Sequence, residues 1–286
     1  MSDRHGVRLL ASPALSVYDV RCFAERGGPG PDEHSGVTQV IFPIEGVFEV
    51  HRGRRSVVSD AASVVILETG HDHRVGHPAT GGDRSLVLVF SPAVIEDALE
   101  PADGFGGPIG ARVHLGVQAL AAGLRGGCLG ELEAEDLALG LFDRICIDLT
   151  RTRGYRPQSR HQVERIEQVR ALLAAEPEQR WRLDELARAV HCSPFHLARQ
   201  FRGITGTSVS AYLLRLRLGL ASQRLAEGED DLARLANDLG FASHSHFSAR
   251  FRSVFGVPPG TVRHALARGT GPELRTFMTA EDRAAS

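Results

Sequence analysis

Apolar positions change their rhythm along this chain. In residues 14–92 they come in short β-branched runs, at 15–20, 37–42, 46–50, 63–67 and 85–90, separated by turn-rich breaks such as GGPGPDEH, RGRR and ATGGD. Short strands with glycine breaks predict a small sandwich or barrel. From residue 112 the spacing becomes helical. Segments 113–124 and 131–149, parted by GGCLG, predict a helical hairpin. In its second arm Leu137, Leu141, Ile145 and Leu149 form one stripe, with Ala134, Ala138 and Phe142 alongside. Such a stripe packs either on the chain's own barrel or on a second copy.

The most informative stretch is 232–260. Leu232, Leu235, Ala236 and Leu239 predict a short amphipathic helix ending at Gly240, a residue suited to a sharp helix end. Ser243 is a good N-cap for a second helix, in which Phe247, Phe251 and Phe255 fall four apart and face inward. The other face carries His244, Ser245, Ser248, Ala249 and Arg252, with no acid, before Gly256 and Pro258-Pro259 stop the helix. This is the pattern of a helix-turn-helix. A single instance also suits an ordinary pair of core helices, but the pattern occurs twice. Ser193, Leu197, Phe201 and Gly206 repeat as Ser243, Phe247, Phe251 and Gly256 at an offset of 50, and Ala187 repeats as Ala236 at 49. Two units are too few for a solenoid. Between them, 208–225 reads as one long helix offering Tyr212, Leu213, Leu216, Leu220 and Leu225 for packing. Two units on a rigid connector can enter successive major-groove faces, about 34 Å apart.

Charge sharpens this picture. The 286 residues carry a net charge of −2, yet residues 151–270 hold 19 Arg against 11 Asp or Glu, a surplus of 8 that leaves −10 for the rest. The chain has no lysine, so its basic contacts are guanidiniums, able to grip phosphate or guanine through paired hydrogen bonds. A basic half beside an acidic half suits a nucleic-acid-binding domain joined to something with another task.

The fixed motifs are extensive. They run Ser193-Pro194-Phe195-His196-Leu197 with Arg199, Phe201 and Arg202, then Thr205-Gly206-Thr207-Ser208, Tyr212-Leu213, Arg217-Leu218 and Ala221. Gly240-Phe241-Ala242-Ser243, Ser245, Phe247, Phe251, Gly256, Pro258-Pro259 and Arg263 complete them. With these, residues 163–268 resemble the DNA-binding domain of the AraC/XylS family of bacterial transcription regulators. The resemblance implies that double-stranded operator or promoter DNA is the partner. Helical geometry puts Phe195, Ala198, Arg199 and Arg202 on the outer face of the first recognition helix, behind the capping pair Ser193 and Pro194. In the second unit the candidates are His244, Ser245, Ser248, Arg250 and Arg252; the family's usual arginine two residues after Phe247 is Ala249 here, and Arg250 next to it is the substitute. The resemblance further implies a homodimer paired through Leu137, Leu141, Ile145 and Leu149, contact with RNA polymerase, and activation as the commoner outcome.

Residues 1–111 resemble the cupin-like sensor domain that often precedes this type of DNA-binding domain. Histidines cluster there, and His34, His71, His73 and His77 are candidates for an effector or metal, since imidazole suits Fe, Cu, Ni and Zn. His71 and His73 would share one side of an extended strand. A cupin's HxH followed by Glu is missing, so solvated histidines near an organic-effector pocket are the favoured reading, with no resident cofactor and at most an unidentified small-molecule effector. A metal-dependent cupin enzyme fused to a DNA-binding module is the alternative; no catalytic motif elsewhere supports an enzyme. Scattered Cys22, Cys128, Cys146 and Cys192, no signal peptide at MSDRHGVRLL and no long apolar run predict a cytoplasmic protein with no membrane contact. The expected organisation is therefore α+β: a cupin-like β-barrel (1–111), a helical hairpin (112–152), a linker (153–162), an all-α domain (163–268) with helix-turn-helix units at 183–204 and 232–255, and a tail (269–286).

Overall fold

The computed structural model describes residues 4–98, 106–152 and 159–268. Most of the expected linker, 153–158, and the tail 269–286 lie outside these described residues. The N-terminal part is antiparallel β-structure: β1 (Arg4–Ala11), β2 (Leu15–Cys22), β3 (Glu33–His34), β4 (Gln39–Gly46), β5 (Phe48–Arg52), β6 (Arg55–Ser59), β7 (Ser63–Leu67), β8 (Asp72–Gly76), β9 (Asp83–Phe90), then helix α1 (Pro92–Ala98) and β10 (Gly106–Pro108). A six-stranded sheet runs β1-β2-β9-β4-β7-β10, and a four-stranded sheet runs β3-β8-β5-β6.

The larger sheet is apolar on both faces, which explains the unbroken runs SVVIL and SLVLVF: a strand covered on two sides does not alternate. Val17, Val40, Phe42, Val64, Leu86 and Leu88 point to the helices. Ile41, Val65, Leu67 and Val87 point between the sheets, with Tyr18 and Val89 beside them.

Helices α2 (Ala111–Arg125) and α3 (Glu131–Thr152) form the expected hairpin on the outer face of that sheet. Leu137, Leu141 and Ile145 are buried in the same core as Val17 and Leu88, and Leu149 packs against it. The assignment of this stripe to a second chain is therefore corrected. Strands β2, β4 and β9 already present the apolar surface it needs, so the stripe is consumed within the chain.

The helical part follows as α4 (Arg160–Ala175), α5 (Leu183–Ala189), α6 (Pro194–Thr205), α7 (Val209–Ala226), α8 (Leu232–Asp238), α9 (His244–Phe255) and α10 (Pro259–Arg268). The connector α7 belongs to two cores at once. Tyr212 and Leu216 pack with Leu197 and Phe201 of the first unit. Leu218, Ala221 and Leu225 pack with Phe247 and Phe251 of the second.

The two halves of the chain are in contact. Helix α2 is buried on nearly every side, with Val113, Val117 and Leu120 on the sheet and Leu115 and Ala119 in the core of the second unit. A helix apolar all round is a helix covered all round. Buried His114 reaches Gly219 O on α7 at 3.1 Å through Nε2. Burial holds that imidazole below its ordinary pKa, so it is neutral and donates to the carbonyl.

A buried ionic cluster ties the β6–β7 turn to α4 and α7. Arg170 donates to Glu167 at 2.9 and 3.0 Å, to Tyr212 Oη at 2.8 Å and to Asp60 at 3.3 Å. Tyr212 Oη donates to Asp60, and Val58 N donates to Glu167 at 2.6 Å. Although burial opposes its charge, the surrounding Glu167, Tyr212 and Asp60 hold the Arg170 guanidinium well above its ordinary pKa. For Glu167 burial wins, and its carboxyl is pushed up.

Candidate nucleic-acid interface and barrel cavity

Each recognition helix begins and ends on residues chosen by backbone geometry. Ser193 Oγ accepts from His196 N at 3.3 Å to start α6, and Ser243 Oγ accepts from His246 N at 3.1 Å to start α9. Gly206 (φ 73°) and Gly256 (φ 80°) end them in the left-handed conformation. The turns inside the two units solve one problem differently. The second uses Gly240 at φ 72°, where a Cβ would fall 2.2 Å from Glu178 O. The first has His191 at φ 53°, the one non-glycine with positive φ among the described residues. A left-handed L-residue costs about 1–2 kcal/mol, partly offset by the greater entropy glycine loses on folding. His191→Gly is expected to stabilise the fold by about 0.5–1 kcal/mol, read as a higher Tm in thermal melting.

The packing separates an inner from an outer face. Leu197 and Phe201 anchor α6, and Phe247, Phe251 and Phe255 anchor α9. Outside stand Phe195 (77% exposed), Arg199 and Arg202, with Ala198 half-buried on the flank. On α9, Ser193's counterpart Ser243 leads to exposed His244, Ser245 and Arg252 and half-buried Ser248. Ser248 Oγ and His244 Nε2 lie 3.3 Å apart.

Arg250 is placed differently from expectation. At the 50-residue offset it matches Gln200, which turns inward and accepts from Arg165 at 3.1 Å. Arg250 correspondingly leans on His246 at 3.4 Å and lines a groove with Leu214 and Phe241. It stands on the flank of α9, off the face that carries Ser245 and Arg252.

Ion pairs occupy several arginines near the recognition helices. On the flanking helices, Arg182 and Arg188 pair with Asp184, and Arg224 and Arg234 pair with Glu229. Paired with both arginines, Glu229 is drawn down to about 2. Arg199, Arg202 and Arg252 make no ion pair among the described residues. Three free guanidiniums on the outer faces of two capped helices can meet phosphates or the acceptor edge of guanine. Arg217, also in the motif set, does something else: it donates to Pro177 O, Gln179 O and Gly240 O at 2.6, 2.9 and 3.0 Å, clamping two loops together.

Between the sheets lies a cavity of about 490 Å³. Its walls are largely apolar, with Tyr18, Ile41, Phe48, Leu67 and Val87 among them. A polar chain crosses it: Arg4 donates to Glu33 at 2.6 Å, and His73 Nε2 stands 3.9 Å from Glu33. Burial works against the Arg4 charge, but Glu33, with help from Cys22, keeps the guanidinium above its ordinary pKa. Burial lowers the His73 pKa. Buried Ser35 Oγ and Ser85 Oγ, which also line the cavity, have no hydrogen-bond partner among the described residues.

The four candidate histidines do not converge. Strand β8 begins at Asp72, so His71 stays outside, exposed and 3.7 Å from Glu68, while His73 turns into the cavity. His34, at the rim, pairs with Asp72 at 2.8 Å. His77 has other company, Cys22 at 3.3 Å and Asp83 at 3.1 Å, which the sequence reading did not include.

A helix-turn-helix domain model matches residues 186–265. A putative AraC-like transcription regulator of Streptomyces lividans is 36% identical over 91 residues, 32% of this chain and 30% of that protein. The transcriptional activator RhaS of Pectobacterium carotovorum is 40% identical over 68 residues, 24% of each chain. The chain thus spans about a third or less of the length of the curated relatives it matches. The crystal structure of ToxT from Vibrio cholerae aligns over 91% of this chain and 100% of that chain, at 13% identity and a TM-score of 0.37. Among the described residues no helix is long and apolar enough to cross a membrane. Residues 186–265, a domain with two helix-turn-helix units, are thus similar to the DNA-binding part of AraC-like transcription regulators.

Proposed function

We propose that this protein is an effector-responsive transcriptional regulator that binds operator DNA in a sequence-specific way from the cytoplasm, most simply as an activator that contacts RNA polymerase. The observation that carries the reading is that Arg199, Arg202 and Arg252 stand on the outer faces of two capped recognition helices without an ion-pair partner among the described residues, while nearby Arg182, Arg188, Arg224 and Arg234 are paired. Arg199 is the residue for a guanine, exposed Phe195 for a thymine methyl, and Arg202 and Arg252 for phosphates. Ser193 and Pro194 present the first helix N-terminus to the backbone. His244, Ser245 and Ser248 make shorter, less selective contacts, and Arg250 on its flank serves a phosphate.

The barrel cavity takes a small, largely apolar organic molecule with a hydrogen-bonding group for Ser35 or Ser85. A route from cavity to DNA-binding part is present. Strands β2 and β9 line the cavity with one face, and with the other hold Asp19 and Arg84 in a buried pair at 2.6 Å. Arg84 donates onward to Glu227, at the end of α7, at 2.7 Å. Only an effector that prefers one arrangement of these parts can shift it. Homodimerisation fits a repeated operator, and with the inner stripe consumed, exposed Leu132, Leu139 and Ile147 on the outer side of α3 are the surface for it.

Crosslinking and sequencing of bound DNA in the native host tests this. Sharp peaks upstream of a few genes are expected, shifting on addition of a metabolite of those genes' products. A flat profile from folded protein under every growth condition would remove the regulator reading.

A further inference from the structure

Three potential metal ligands meet at the mouth of the barrel cavity. Cys22 and Asp83 are cross-strand partners in the β2–β9 register, so both side chains lie on the cavity face. Gly82, at φ 71°, makes this junction possible: a Cβ there would fall 2.0 Å from Cys22 O. His77 is fixed above the pair by a two-way backbone bridge to Gly27, at 2.9 and 3.0 Å. Cys22 is buried, His77 nearly so, and the three ligand atoms lie within 4.8 Å of one another.

The Cys22 sulfur also meets the Arg4 guanidinium, but around His77 the hydrogen bonding of the cluster is incomplete. His77 Nε2 faces both the thiol, at 3.3 Å, and the carboxylate, at 3.1 Å. A single ring nitrogen carries either a proton or a lone pair. With a proton it serves Asp83, and the thiol cannot donate to it; with a lone pair it accepts from the thiol and turns that lone pair toward a carboxylate. A cation at the common point satisfies all three. With about 2.3 Å to sulfur and about 2.0–2.2 Å to nitrogen and oxygen, a tetrahedral ion separates S from N by about 3.6 Å and N from O by about 3.4 Å. The observed 3.3 and 3.1 Å need only small adjustments to match.

We infer that Cys22, His77 and Asp83 form a site for a divalent transition-metal ion of the zinc class, with a fourth position open to the barrel cavity. Mixed sulfur, nitrogen and oxygen donors in a tetrahedral arrangement suit Zn²⁺ or Co²⁺ rather than Mg²⁺ or Ca²⁺. An oxygen donor of water or of a cavity ligand would complete the shell. The site is independent of the DNA-binding reading.

The test uses full-length protein stripped with a chelator and titrated with Co²⁺, then with Zn²⁺ against a chromophoric competitor. Expected are the visible bands of tetrahedral cobalt, a thiolate charge-transfer band in the near ultraviolet, and saturation at a single equivalent. Cys22→Ser should abolish the charge-transfer band. It, His77→Gln and Asp83→Asn should each weaken zinc binding by about 100-fold or more, beyond the ~10–100-fold that loss of an outer-shell partner costs. Thermal melting shows whether each variant folds, and three separate variants guard against one that does not. Cys128→Ser, at an exposed thiol, should change nothing. No tetrahedral spectrum with folded wild-type protein would mean a hydrogen-bonded cluster only. An unchanged spectrum in folded Cys22→Ser would place the ion elsewhere. Either result overturns the assignment.

Discussion

Arg170→Ala is expected to cost about 3–5 kcal/mol of folding stability and to lower the Tm by about 6–20 °C, because it leaves buried carboxylates without their counter-charge. The size follows from what Arg170 touches. Its guanidinium is the cation for Asp60, whose side chain is 0% exposed, and for Glu167, and it also donates to Tyr212. Water cannot take its place there without opening the junction of the β6–β7 turn, α4 and α7. Glu167, already pushed up by burial, would protonate first and recover part of the loss. Replacing Arg170, Glu167 and Asp60 together by apolar residues of similar volume is expected to cost much less than the single change. Arg188→Ala, which breaks the exposed pair with Asp184, should leave the Tm unchanged. A Tm for Arg170→Ala equal to that of the parent would mean that the barrel and the helical part do not dock through this cluster in solution.

That cluster also shows what a sequence does and does not reveal. Its members are separated by up to 152 residues, and no local pattern links Asp60 to Tyr212. The recognition helices were legible because their determinants are local: serine caps, a phenylalanine every fourth residue, and glycine where the backbone turns left-handed. The strands seen from sequence were four β-branched runs of the doubly covered sheet and the run that forms β5 of the smaller one. Missed were β1, RHGVRLLA, whose residues are mostly exposed, and β6 and β8, where charged and turn-forming residues hide the strand.

Two errors of placement have plain causes. Periodicity showed that α3 has an apolar face and could not show what covers it, and its own sheet does. His71 and His73 share a side only if the strand starts before residue 71, and it starts at 72. The position of Arg250 was, by contrast, readable: the 50-residue offset that revealed the repeat pairs it with Gln200, a buried position. Cys22 and Asp83 come together only through the register of β2 on β9, and His77 joins them through its bridge to Gly27, neither of which residue spacing encodes.

Arg199→Ala is expected to weaken operator binding by about 1–3 kcal/mol, roughly 5- to 150-fold, and to relax the preference at one base pair. Arg199 lies between Phe195 and the next turn on the outer face of α6, exposed and without an ion-pair partner among the described residues. It therefore spends no competing interaction on binding, and its fork suits the two acceptors of guanine. In the second unit the same position is Ala249, so base discrimination should rest mainly with the first unit. Arg252→Ala provides the contrast. As a phosphate contact it should weaken specific and random DNA alike and reduce the salt dependence by about one ion. Competition binding at two salt concentrations, with operator and scrambled duplexes, separates the two behaviours. If Arg199→Ala loses the same factor on both duplexes, Arg199 holds a phosphate, and the specificity must come from Phe195, from the serines and histidine of α9, or from the shape of the DNA.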